Sequence, residues 1–413
     1  MKTPKRGGPI AIGVIFTTIV IDFMGYLLLV PVLPGHLRSL GADPTDQGLI
    51  IGLYMFVLVL ALPIWGWIGD RLGRRPVLVT CLLGTSLSFA LMANAQSLWL
   101  FYVARILQGI FGASVGTAQA YISDLTSEED RARGFGLIGA AGSLGLFTGP
   151  ALGGVLYQID PSLAFQAPSF LALLAFAGAA LFLPESRGPD FGSATWMALV
   201  RSAVPAPLLI LVGVHQPRIL LFLYLFFHIF VAFGAVEAMF ANYAEALFGW
   251  TSLGVGLFLT LIAVVSGLTQ GLMIGRLIGL FGERSLVMSG LGMAAGAMVA
   301  LTAVRDVWAL VIAGLALAVG FGLVVPTFTS MFSKACGTDE TGAYHAHSQA
   351  MLSLGRGVGA LLGGLITNRI NVVAPFFLGG LSLIGALAIF SLALPMLRTD
   401  GRQGRGQPAA GSS

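Results

Sequence analysis

Asp22, Arg105, His228, Glu237 and Arg356 lie deep within long apolar runs of this chain and could bind a proton or a charged ligand. A buried carboxylate can take up a proton, and a substrate and a proton can then compete for one site. His228, amid Phe226, Phe227 and Phe230, reads as a core histidine ahead of a proton carrier. Glu237 reads either as a gate or entry acid or as an interfacial residue. Arg356 would hold an anionic substrate group or, with more weight, neutralise Glu237. A second charged cluster, Gly66-Trp-Ile-Gly-Asp70-Arg71-Leu-Gly73-Arg74-Arg75, sets one acid among three arginines in a glycine-bounded loop, where Asp70 would favour a helix N-terminus.

Other chemistries find no support. Cys81 and Cys336 are far apart and the 5 histidines are scattered, which argues against a disulfide framework or a zinc motif. His345 and His347 diverge by about 200° on a helix, so they do not chelate a metal. The lysines are Lys2, Lys5 and Lys334, and none follows a glycine, which excludes a P-loop. No cofactor is expected. A membrane enzyme would need a nucleophile–base pair or metal ligands, and none stands out.

The elements that must position these residues follow from composition. Of 413 residues, 56% are hydrophobic and only 10% charged, and the mean hydropathy is +0.90. So few charges cannot cover a water-soluble surface of this size, so the surrounding solvent is lipid. Twelve stretches are long enough to span it: 10–34, 46–68, 76–94, 97–122, 134–157, 164–184, 219–247, 252–275, 285–304, 307–332, 344–367 and 374–397. The first carries Asp22 and is too long for a leader. The division expected is a first six-helix bundle over 1–184, an interfacial linker over 185–218, a second bundle over 219–397 and a disordered tail over 398–413.

With both termini in the cytoplasm, 17 of the 22 Lys and Arg fall in inside loops, 3 (Arg38, Arg305, Arg369) outside and 2 (Arg105, Arg356) within spans. That split follows the positive-inside rule. The formal charge of +4 then reflects membrane orientation, with no call for a nucleic-acid partner. At 1.5 Å per residue, Asp22, Arg105 and Arg356 all lie roughly 18 Å from an edge, His228 about 14 Å and Glu237 about 27 Å along its span, near the outer mouth. Charges at such depth are costly, and each asks for a reason, structural or functional.

The chain also repeats itself. Ser143–Gly154 (SLGLFTGPALGG) recurs as Ser353–Gly364 (SLGRGVGALLGG), an offset of 210, and Ala167–Leu171 recurs as Ala374–Leu378, an offset of 207. Gly66–Gly73 has a weaker echo starting at Gly271. Spans 1–6 therefore map on spans 7–12 as a parallel duplication, which suits two bundles rocking about a central site.

The loop at Gly66–Pro76, together with ARILQG (Ala104–Gly109) and GSLGLFTGPALGG (Gly142–Gly154), resembles the signature motifs of the major facilitator superfamily, and of its twelve-span drug:proton antiporter branch near the tetracycline-efflux-like proteins. Tyr121–Gly136 and Gly267–Arg284 are similar to that group as well. The resemblance implies an all-α fold of twelve helices in two pseudo-symmetric bundles. It implies that Gly66, Asp70, Arg71, Gly73, Arg74 and Asp124 form a cytoplasmic gate latching the halves in the outward-facing state. Arg105 and Gln108 would handle protons, and Gly145, Gly149, Pro150, Gly153 and Gly154 would bend span 5 and pack it along the interface between the halves. Spans 1 and 4 line the cavity in that superfamily, so an Asp22–Arg105 pair is expected, either as a permanent salt bridge or as the titrating site. The second copy departs from the first: Pro150 becomes Ala360, Leu146 becomes Arg356 and Asp70 becomes Gly275.

The function expected is proton-coupled export of a lipophilic or amphipathic small molecule by a monomer of the cytoplasmic membrane, its cavity walled by apolar groups with Tyr26, Gln119, Asn242, Gln270 and Arg356 as polar anchors. One charge crossing about 150 mV supplies about 3.5 kcal/mol. The alternative is a carrier of the same fold for a metabolite, sugar or lipid, whether or not coupled to protons.

Overall fold

The computed structural model describes residues 9–125, 128–186, 216–336 and 341–394. The core of the linker expected over 185–218 and the tail expected over 398–413 lie outside the described residues. Among the described residues twelve helices are long and apolar enough to cross a bilayer. They run Pro9–Ser39, Pro44–Leu72, Arg74–Ala93, Leu98–Leu125, Glu128–Ile159, Leu163–Phe182, Pro217–Phe248, Ser252–Phe281, Glu283–Leu301, Val307–Cys336, Thr341–Arg369 and Ala374–Ala393, and are called spans 1 to 12. Each corresponds to one stretch read from the sequence. In lipid, backbone polar groups must be satisfied within the segment, and only a helix does this alone.

Local sequence sets where these helices stop. Asp43 and Asp46 form a reciprocal capping box at the start of span 2, and left-handed Gly249 closes span 7. Span 4 breaks between Ile110 and Ser114. The Trp65 indole N–H donates to the Ile110 carbonyl freed there, and the Phe111 ring lies where Gly84 leaves no side chain. Span 8 carries one π turn at Thr269–Met273.

The apolar core divides along the repeat. One buried cluster runs entirely through spans 7–12 and their connections, around Phe222, Phe328 and Phe390. Two more lie within spans 1–6. A fourth, around Leu29, Leu33 and Phe101, also takes in Ala238, Met239 and Ala360, and so joins the halves. Spans 2 and 11, and spans 5 and 8, form the main seams between them.

The small-residue repeat builds the same contact twice. Gly145, Gly149 and Gly153 face the backbone of span 1 at Val20, Met24 and Leu28; a Cβ on Gly149 would lie 2.8 Å from the Met24 carbonyl oxygen. Their counterparts Gly355, Gly359 and Gly363 face span 7 at Phe227, Val231 and Ala235. These three glycines of span 5 therefore pack inside their own half. The seam between halves belongs to Gly154, against Ser252 and Leu253, and to the Pro150 carbonyl, against Gly256. The helix continues through Pro150.

Candidate functional site

The face carrying Asp70, Arg71, Arg74, Arg75, Arg284 and Lys334 is called the basic face, and the opposite one the far face. Between them, at mid-depth, spans 1, 2, 4, 7 and 11 bring charged and aromatic side chains together.

On the second half, Arg356 pairs with Glu237: its Nε donates to Oε2 at 3.0 Å and a terminal nitrogen to Oε1 at 2.5 Å. The same guanidinium reaches across to the Tyr26 hydroxyl of span 1 at 3.2 Å and lies over the Tyr26 and Phe233 rings. Tyr26 stacks on Tyr54 of span 2, with centroids 5.6 Å apart. Glu237 therefore sits in the central cluster and not at the outer mouth. Span 7 has 32 residues, more than the bilayer needs, so counting from its start overstates depth. Arg356 neutralises Glu237, the weightier of the two readings.

On the first half, the Asp22 carboxylate accepts a hydrogen bond from the Ser114 hydroxyl. Arg105 is 1% exposed. It donates to Gln108 Oε1 at 2.6 Å, lies 5.0 Å from the Tyr54 ring centroid, and leaves its Nε buried without a partner. Asp22 and Arg105 thus do not form the ion pair that equal depth suggested. Depth fixes height in the membrane but not azimuth, and the break in span 4 turns Ser114 toward Asp22. Ser114, Tyr54 and Phe233 are members that sequence reasoning missed. Gly109, Gly112 and Gly116 are the sequence signal that could have shown an irregular helix there.

The remaining candidates lie elsewhere. His228 meets the carbonyl oxygen and hydroxyl of Ser382 at 3.0 and 3.1 Å and stacks on Tyr224, at the seam of spans 7 and 12. Asn242 donates to Gln47 at 2.8 Å, and Gln47 donates to the Ala238 carbonyl at 2.7 Å, so this pair ties span 2 to span 7. Gln119 is exposed. Gln270 is exposed too, donating to Ser266 from the π turn.

Further contacts close the far face. Arg38 pairs with Glu245, Asn368 donates to Asp43 and Thr45 at 2.8 and 3.0 Å, and Gln158 donates to Thr251 at 3.2 Å. Gly48 meets the Ala360 carbonyl, and Gly364 that of Pro44. A cavity of about 530 Å³ remains there among Pro31, Tyr157, Glu245 and Trp250.

At the basic face, Arg74 donates to Asp70 at 2.6 Å and to Asp124 at 3.3 Å, while Arg71 lies 4.1 Å over the Trp67 ring. The backbone N–H of Arg74 donates to Glu185 at 2.8 Å. The carboxylate at the N-terminus of span 3 is thus that of Glu185 rather than Asp70, and it fills the space where Gly73 lacks a side chain. Gly66 has open space around it. These contacts lie within the first half and Glu185, the residue that follows it.

The comparisons agree with this architecture. The family model described as Major Facilitator Superfamily matches residues 15–269 and 229–413. The class C tetracycline resistance protein of Escherichia coli is 31% identical over 398 residues, covering 94% of this chain and 96% of that protein. Multidrug resistance protein 1 of Bacillus subtilis (strain 168) is 27% identical over 382 residues, covering 92% and 95%. Among solved structures, the human organic anion transporter MFSD10 (TETRAN) superposes with a TM-score of 0.70 at 24% identity, over 92% of this chain and 99% of that one.

Proposed function

We propose, from the premise that this chain belongs to the major facilitator superfamily, that it is a proton-coupled exporter of lipophilic or amphipathic small molecules. It is a multi-pass membrane protein of a family of transporters, and it works as a carrier, not an enzyme. The basic face is the cytoplasmic one, both termini lie on that side of the inner membrane, and the working unit is a monomer. The tetracycline and multidrug resistance proteins to which it is similar along nearly their whole length support export of such compounds.

The observation that carries the coupling is the setting of Asp22. It is the one mid-depth carboxylate of the cluster held by a hydroxyl and not by a guanidinium. Glu237, by contrast, is held on both oxygens by the Arg356 guanidinium. When Asp22 is ionised, the Ser114 hydroxyl donates to an anion, a strong hydrogen bond. When Asp22 is protonated, that bond weakens and the attraction for a cationic substrate group is lost. Ser114 opens the segment of span 4 beyond the break, whereas Arg105 and Gln108 belong to the segment before it. Protonation therefore changes the tie between span 1 and the joint of span 4. The closed far face supports an inward-facing state, from which proton loss to the cytoplasm and substrate loading lead outward.

The test uses everted membrane vesicles carrying an imposed proton gradient, with tetracycline and ethidium as probes. The parent releases the gradient on addition of a transported probe. Asp22→Asn abolishes that release by at least tenfold while probe exchange without a gradient continues. Full coupled release by Asp22→Asn contradicts the assignment. Carriage of a sugar or metabolite without proton movement would favour the alternative carrier reading.

A further inference from the structure

The two halves carry the same interhelical clasp at the basic face with its polarity reversed. In the first half Arg74, the first residue of span 3, reaches Asp124 near the end of span 4, at 3.3 Å. In the second half Glu283, the first residue of span 9, reaches Lys334 near the end of span 10, at 2.8 Å, and also accepts from Ser330. The positions correspond residue by residue. Gly73 and Gly282 enter spans 3 and 9 with the same backbone shape, φ 101° and ψ 164° against φ 77° and ψ 156°. In spans 4 and 10, Gly112, Thr117 and Asp124 stand 210 residues before Gly322, Thr327 and Lys334.

Stability does not account for this reversal. An acid at a helix N-terminus is favourable, and an arginine there is not. The first half therefore holds the unfavourable polarity, and Glu185 bonds the Arg74 N–H to offset it. The Lys334 side chain is 62% exposed against 17% for Glu283, so water screens the ammonium and the ion pair adds little to folding. The reversal has a consequence only where the halves meet. Asp124 and Lys334 are mates under the pseudo-two-fold relation of the bundles. Rocking that opens the far face brings such mates together at the basic face. With equal polarity they would repel; with opposite polarity they attract.

We propose that Lys334 and Glu283 are the second half of the basic-face gate, and that when this face closes Asp124 and Lys334 exchange their partners within each half for one another across the halves. This extends the alternating-access reading above and rests on it, but it requires neither a particular substrate nor coupling to protons.

The clasp can be tested in the full-length chain by charge reversal and by cross-linking. Asp124→Lys and Lys334→Asp each lower transport at least tenfold. Together they recover it to within about threefold of the parent, although each introduced side chain faces a like charge in its own half, Arg74 for Asp124→Lys and Glu283 for Lys334→Asp. Recovery can therefore come only from across the halves. Losses that simply multiply, as for distant independent sites, overturn the proposal. Should the reversals fail to reach the membrane, the neutral pair Asp124→Asn and Lys334→Gln serves the same cycle, and additive losses there overturn it too. Independently, Asp124→Cys with Lys334→Cys, in a chain carrying Cys81→Ser and Cys336→Ser, forms an oxidant-induced disulfide that keeps the halves joined after cleavage at a protease site placed between 187 and 215. Absence of that cross-link overturns the proposal even if transport proves proton-coupled. Its presence upholds the proposal even if Asp22→Asn leaves coupling intact.

Discussion

Arg356 and Glu237 are the costliest residues of the central cluster to disturb. Each is a charge removed from water and answered by one opposite charge, so removing one strands the other. Glu237→Gln is expected to cost about 3–5 kcal/mol of stability, read as a lowered melting temperature of the purified protein, with Glu237→Gln/Arg356→Gln recovering part of that loss. Melting of Glu237→Gln at the parent temperature would mean that the pair does not hold the spans. The identities of these residues were legible in the sequence, because a charge inside an apolar run is conspicuous. Their partners were not. Asp22 and Arg105 share a depth yet face different neighbours, since sequence spacing gives height along a helix and says little of where a tilted, broken helix aims its side chains. Ser114 and Tyr54 were invisible for a simpler reason: a serine and a tyrosine in a membrane span are unremarkable until a carboxylate or a guanidinium is seen beside them.

Among the elements, the glycine rows of spans 5 and 11 set how near the backbones of spans 1 and 7 can come. Gly149→Leu should force span 5 from span 1 and cost about 1–3 kcal/mol by overpacking, as a fall in melting temperature. Gly296→Leu, where nothing lies within 4 Å, should leave it unchanged, and equal effects of the two would dissociate glycine spacing from helix approach. The duplicated motif made these rows legible, and the length and apolar composition of each stretch placed all twelve spans. Which neighbour each row serves was not legible: Gly153 and Gly154 are adjacent, yet one meets span 1 and the other span 8. A helix shows successive residues about 100° apart, so a single motif can serve the inside of one half and the seam with the other. The break in span 4 left only a faint mark, because the small residues that permit it also suit close packing.

For the whole molecule, the contacts named above that join the halves, all among the described residues, lie at the far face and in the middle. Arg38–Glu245 is half-exposed and so adds little to folding. Its place bridging spans 1 and 7 makes it part of the closure. Glu245→Gln should loosen that closure, and a cysteine placed by Ala241→Cys at the edge of the far-face cavity should then react with a maleimide several-fold faster than in the parent background. An unchanged rate would remove this pair from the closure. The duplication was legible in the repeat, whereas the conformational state was not. One sequence must support every state of the cycle, and only the contacts of a given state distinguish it.

The central claim is that the protonation of Asp22 governs which face is open. Spin labels at Gln96→Cys and Arg305→Cys report the far-face separation of the halves, and labels at Leu72→Cys and Phe281→Cys report the basic face, all at exposed positions in a Cys81→Ser, Cys336→Ser chain reconstituted in lipid. Distance distributions recorded across the pH range should move in opposite directions at the two faces in the parent, and Asp22→Asn should hold both at their low-pH values throughout. If the distances in Asp22→Asn still follow pH as the parent's do, Asp22 does not control the alternation.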